Sequence, residues 1–232
     1  MTGVLEQITA LVTAAAAPPE EAPSVRRRRR ITVIVVLVLG AVLLGLSLTR
    51  TPGDASFYWL TIAMAIVWAG GALLSGPLHL GWVTVAGTRR RPVLTGLGVG
   101  LAVGAAFVAG ALVAREIDVI AGPITRVLAY ANQGSLALIV AITLANGLAE
   151  ELFFRGALYT ALGRTRPLLI STLLYIAVTS ASGNPMLGFA AVVLGLVCAV
   201  ERRATGGVLA PMLTHLVWGL IMVLALPPLF GV

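Results

Sequence analysis

Leu136 to Arg155 reads LALIVAITLANGLAEELFFR, an apolar run closed by two adjacent carboxylates, Glu150 and Glu151, with Arg155 one helical turn later. The run from Leu136 to Leu148 carries one amide, Asn146, and no charge, so it reads as a membrane helix. An ionised carboxylate at the centre of such a helix costs roughly 2.5–3.5 kcal/mol on insertion scales. Two side by side point to a polar pocket enclosed by other helices and used for function.

Composition places this helix in a membrane bundle. Of 232 residues, 59% are hydrophobic and only 11% charged, more apolar surface than a soluble domain of this size needs. The basic residues are 16 arginines without a lysine, against 9 acids. An isoelectric point near 11 by itself suggests nucleic acid. The arginines, however, fall in short clusters between apolar runs, which is the pattern of membrane anchoring and not of a basic binding face. Nucleic acid is therefore not an expected partner, whereas membrane lipids are. The single cysteine, Cys198, excludes an internal disulfide and reads as packing.

A spanning helix needs about 20 mostly apolar residues. Candidates are Ile31–Leu48, Phe57–Leu74, Val93–Val113, Leu136–Leu148 running on through the acids, Pro167–Ser180, Met186–Val200 and Val208–Leu226. The expected fold is an all-α multispanning bundle of about seven spans, with six to eight as the range. Two segments change the count: Gly76–Val85 as a short interfacial piece, and Asp118–Ala131 as a re-entrant or surface segment. With the amino terminus in the cytoplasm and the carboxyl terminus outside, twelve arginines fall on inner loops (Arg26 to Arg30, Arg89 to Arg91, Arg164, Arg166, Arg202 and Arg203). Three, Arg50, Arg115 and Arg126, fall outside. That asymmetry is the positive-inside pattern expected of a multi-pass protein of the cell membrane. Residues 1–25, which end in an Ala-, Pro- and Glu-rich stretch, are expected to form a flexible cytoplasmic tail ahead of a transmembrane domain at 26–232. The first span follows five arginines and reads as a retained anchor, not a cleaved signal. Glycines between Leu97 and Ala111 suit close helix contact. There is no internal repeat.

On a helix, Glu151 and Arg155 are spaced i, i+4 and face each other as an ion pair. Glu150 points about 100° away without an equally obvious local partner, which suits a base that takes a proton from water. A wetted ion pair at a helix end is the bland alternative.

EELFFRG at Glu150–Gly156 resembles the EExxxRG signature of the CPBP intramembrane proteases, a family that includes CAAX-prenyl endopeptidases and bacteriocin-processing or immunity proteins. The likeness extends over a core at 136–226, through GNPMLGFAAVVLGLV at Gly183–Val197 and ERRATGGVLAPMLTH at Glu201–His215. The resemblance implies peptide hydrolysis within the bilayer on membrane-associated substrates. By position, Glu150 would be the general base, Glu151 and Arg155 would hold the helix and the electrostatics, and His215 would be an oxyanion donor. No cofactor is implied.

Two positions depart from the family pattern. Where FxxxH belongs, the chain reads Tyr175-Ile-Ala-Val-Thr179, and threonine does not relay a proton as imidazole does. Where HxxxN ends, Gly219 replaces the asparagine, and one lost oxyanion donor typically costs about 10²–10³ in rate. Thr179, Gly219 and His79, the only other histidine, are thus the positions to inspect for substitutes. A metal site is not expected: a catalytic zinc usually takes three protein ligands, and the plausible set here is Glu150, His215 and Glu151, with no HExxH or second helical histidine. Two further readings stand beside the enzyme. One is a catalytically silent scaffold that binds a membrane partner. The other is transport or proton conduction, against which the chain shows no second buried acid to continue a relay and no inverted repeat.

Overall fold

The computed structural model describes residues 21–131 and 134–232. Helix α1 (Pro23–Leu48) is followed by α2 (Ala55–Ser75), a hairpin of β1 (Val83–Val85) and β2 (Thr88–Arg90), α3 (Val93–Ala114) and α4 (Asp118–Ala131). Then come α5 (Leu136–Glu151), a π-helical turn (Leu152–Leu158), α6 (Tyr159–Leu162), α7 (Pro167–Ser180), α8 (Pro185–Thr205) and α9 (Leu209–Leu229). Capping chemistry sets several starts. Asp54, Ser135 and Asn184 accept from the first free backbone N–H groups of α2, α5 and α8.

Among the described residues, six helices are long and apolar enough to cross a membrane, with α5 to α6 forming one continuous span, Leu136–Leu162. The fourteen-residue α7 reaches about 21 Å at 1.5 Å per residue, short of a bilayer core. The burial pattern fits a bundle whose solvent is lipid. Ile34, Val38, Leu73 and Leu94 face outward, while Arg29, Glu151, Arg155, Glu201 and Arg202 are buried. The chain is a multi-pass membrane protein.

Three details depart from the sequence map. Most of the expected tail, residues 1–20, lies outside the described residues, but residues 23–25 are helical, because Pro23 suits the first helical turn. Residues 76–85 include a strand of a hairpin in which Val83 pairs with Arg90. Arg29 and Arg202 are not loop anchors. Arg29 donates to Ser75 Oγ at 3.0 Å and to the Pro77 carbonyl at 2.9 Å, and pairs with Glu21.

The most extensive helix contact is α3 on α9, and glycines make it possible. A Cβ on Gly96 would lie 2.6 Å from the Ala210 carbonyl oxygen, and one on Gly100 would lie 2.8 Å from Val217 Cβ. Thr214 Oγ1 donates across the contact to the Gly96 carbonyl at 3.0 Å, the kind of interhelical bond that close approach allows. On the other side, Trp68 of α2 packs on Phe153 and Phe154 at ring separations of 4.5 and 5.1 Å. At one end of the bundle α4 is tied down by Tyr130, which donates to the Arg50 carbonyl at 2.6 Å. Asn184 adds a bond to the Pro123 carbonyl at 2.9 Å. At the other end, His79 and Leu80 supply backbone acceptors to the start of α9. Val208 N–H donates to His79 at 2.8 Å and Leu209 N–H to Leu80 at 3.1 Å, which satisfies donors a helix start would leave open.

Candidate active site

The site is built where the α5 span stops being regular. Tyr159 N–H bonds the carbonyls of Phe154 and Gly156 and bypasses that of Arg155. A π-turn leaves such a carbonyl without its helical donor. Arg202 Nε of α8 fills it at 2.7 Å, and the Arg202 guanidinium lies over the Tyr159 ring at 4.7 Å. The irregular turn is thereby fastened to α8.

One turn earlier, Glu151 is the hub. Its side chain is fully buried, and Oε1 accepts from Arg155 Nη1 at 3.1 Å and pairs with His215 Nδ1 at 2.8 Å. Arg155, also fully buried, donates from Nη2 to the Gly195 carbonyl at 2.9 Å and sits over the Tyr175 ring at 4.4 Å. Gly147 makes room for the imidazole, since a Cβ there would lie 3.0 Å from His215 Cδ2. Trp218 closes the other side of the ring with an edge contact at 5.8 Å. With Nδ1 turned to Glu151, Nε2 is the nitrogen left for chemistry. It accepts a proton in the neutral ring and donates one in the imidazolium.

Glu150 is different. It is only partly buried, His215 faces it from α9, and its hydrogen bond comes from Tyr175 Oη to Oε2 at 3.0 Å. Glu151 thus holds the site through Oε1 while its Oε2 is buried without a described partner, and Glu150 carries its unbonded oxygen at a partly exposed position.

Glu150, Glu151, Arg155 and His215 therefore come together on α5, its π-turn and α9. The other three candidates make no described side-chain hydrogen bond to these four. Thr179 lies a turn beyond Tyr175 on α7, and no described hydrogen bond links it to Glu150. Gly219 sits on α9 one turn past His215, and a Cβ there would be 3.4 Å from Thr143 Cγ2 of α5, an ordinary contact. His79 is held through its backbone carbonyl by Val208, while its neighbour Leu78 packs against Gly156.

Residues 132–221 match the family of the type II CAAX prenyl endopeptidase Rce1-like proteins. No curated protein and no solved structure matches the chain. The matched stretch contains all four gathered residues and agrees with the CPBP resemblance carried by EELFFRG. The chain is an integral membrane protein in which residues 132–221 are similar to that family.

Two partners in this Rce1-like core have no motif of their own. Tyr175 was legible only as a stand-in for phenylalanine, since its ring position gives no hint that the hydroxyl meets Glu150. Glu201 sits where α8 was expected to have ended, but the helix runs on to Thr205 and turns the carboxylate inward. It is 6% exposed, and neither oxygen has a hydrogen-bond donor among the described residues. Thr214 lies beside it but spends its one hydroxyl hydrogen on Gly96. The sequence argument against a relay, that a second buried acid is lacking, is corrected here: Glu151 and Glu201 are both buried.

Proposed function

We propose that this protein is a glutamate-dependent intramembrane endopeptidase acting on membrane-associated peptides, of the lipidated carboxyl-terminal kind that a CAAX-endopeptidase-like core suggests. The observation that carries the reading is the division of labour between adjacent acids. Glu151 is paired through Oε1 with both Arg155 and His215, whereas the partly exposed Glu150 is held through Oε2 alone, by Tyr175.

The chemistry follows from that arrangement. The Glu150 carboxylate takes a proton from water as the water oxygen attacks the peptide carbonyl carbon. The carbonyl oxygen becomes an oxyanion, which His215 stabilises through Nε2–H when the ring is protonated. Collapse breaks the C–N bond, and Glu150 returns its proton to the departing amine. Arg155 and Glu151 take no proton; they fix the imidazole and the helix.

We place the amino terminus on the cytoplasmic side of the cell membrane and the carboxyl terminus outside, from the arginine distribution and with α7, whose far end meets α4 through Asn184, counted as a seventh pass. The test is cleavage of a fluorogenic prenylated peptide by the purified protein in lipid nanodiscs. Glu150→Gln is expected to abolish cleavage with folding intact. Cleavage that persists in Glu150→Gln removes this residue from the mechanism.

A second reading rests on Thr179 and Gly219, where the family pattern has an imidazole and an amide: a silent scaffold that holds a membrane-associated peptide or protein. It expects no cleavage by the wild type and a co-purifying partner retained by Glu150→Gln. Failure to recover a stable partner in mild detergents counts against it.

A further inference from the structure

Tyr175 is 4% exposed, and its hydroxyl donates to Glu150 Oε2 at 3.0 Å. The ring that carries it is held on three sides. The Arg155 guanidinium covers one face at 4.4 Å, and Phe154 meets it edge-on at 5.0 Å. On α8, Gly195 leaves the remaining space, since a Cβ there would lie 3.0 Å from Tyr175 Cδ1. Such a ring has one orientation, and the phenol oxygen ends on one carboxylate. The same Arg155 that neutralises Glu151 also backs the tyrosine, so both glutamates are positioned from a single cation.

We propose that Tyr175 is the positioning residue for Glu150. Its phenol holds Oε2 and leaves Oε1 as the oxygen that meets water. This deepens the hydrolase reading and rests on it for the role in turnover, but the tie between the two side chains stands without it. The proposal also explains how the chain works with threonine at position 179, because the group that meets Glu150 comes from the residue one turn earlier.

Tyr175→Phe keeps the ring, the contact with Arg155 and the fit to Gly195, and removes only the donor. A hydrogen bond to a charged group is worth roughly a ten- to hundred-fold effect on rate once converted. The expected result is a kcat lower by that factor with KM within about two-fold, which marks an interaction used in the reaction and not in binding. A donor to a carboxylate favours its ionised form, so the acid limb of the kcat/KM profile should move to higher pH. The other charged groups facing Glu150, namely Glu151 and Arg155 on its own span and His215 on α9, are unchanged by the variant. A purely structural tyrosine would lower the amplitude of the profile and leave the limb in place.

A second measurement needs no turnover. Dicyclohexylcarbodiimide adds to protonated carboxyl groups in apolar surroundings as an acylurea, which is mapped by mass spectrometry. Labelling at Glu150 should extend to higher pH in Tyr175→Phe than in the wild type, and Glu150→Gln should abolish it at that position. If labelling shifts but no peptide is cleaved, the tyrosine assignment stands and the hydrolase reading falls. Labelling and the pH limb both unmoved in Tyr175→Phe overturn the assignment, whatever the activity.

Discussion

Truncating Glu151 should unfasten the bundle more than any other single change at the site. Glu151→Ala removes the one oxygen that serves both Arg155 Nη1 and His215 Nδ1. Arg155 keeps the Gly195 carbonyl and the Tyr175 ring but becomes a fully buried cation that has lost its bonded carboxylate, with Glu150 the acid left nearby. Breaking a buried pair from one side costs about 3–5 kcal/mol. At 2–4 °C per kcal/mol for a chain of this size, the melting temperature should fall by about 6–20 °C. The protein carries its own reporter. Cys198 is the only cysteine, is fully buried and lies against Glu151, so a thiol-reactive dye followed during heating in mild detergent reads the opening of this region. Glu151→Leu combined with Arg155→Met removes both charges and should recover most of the loss. A shift of less than about 2 °C in Glu151→Ala, below 1 kcal/mol, would refute the claim that this carboxylate holds the helices together.

The same melting assay checks the glycine contact. Gly100→Ala meets Val217 and Thr214 on α9 and should cost about 1–3 kcal/mol, whereas Gly98→Ala meets nothing within 4 Å and should be neutral or slightly stabilising. Glu201→Gln removes a charge that has no described donor, so the melting temperature should hold or rise; a fall of more than about 4 °C would mean that a partner holds the carboxylate. Thr179→His with Gly219→Asn adds the missing imidazole and amide to a site that has room at Gly219. In a working hydrolase this pair should raise turnover at least about ten-fold, one oxyanion donor alone being worth 10²–10³. A folded double variant with unchanged turnover would mean that these positions do not face the reacting peptide.

Much of this was legible from the chain alone. The spacing of Glu151 and Arg155 fixes their pairing on any helix, and the ion pair survives even though a π-turn begins at the next residue. Apolar runs of the right length marked the spans, because lipid allows no other backbone solution. Charge counting was less informative about individual residues. Arg29 and Arg202 were counted as inner-loop anchors, yet both are buried and hold carbonyl groups, since sign is written in the sequence and packing is not. Glu201 was missed for a related reason: nothing local says that α8 continues from the end of its apolar stretch at Val200 to Thr205.

The sequence by itself determined the bundle, the place of the acids within it and the pairing of Glu151 with Arg155, because each depends on hydropathy or on spacing within one helix. The tertiary structure alone decided what Glu150 and His215 are bonded to. Tyr175 lies 25 positions from Glu150 and His215 lies 64 from Glu151. Contacts across such separations are set by how whole helices close on one another through Gly147 and Gly195, which no local pattern of residues records.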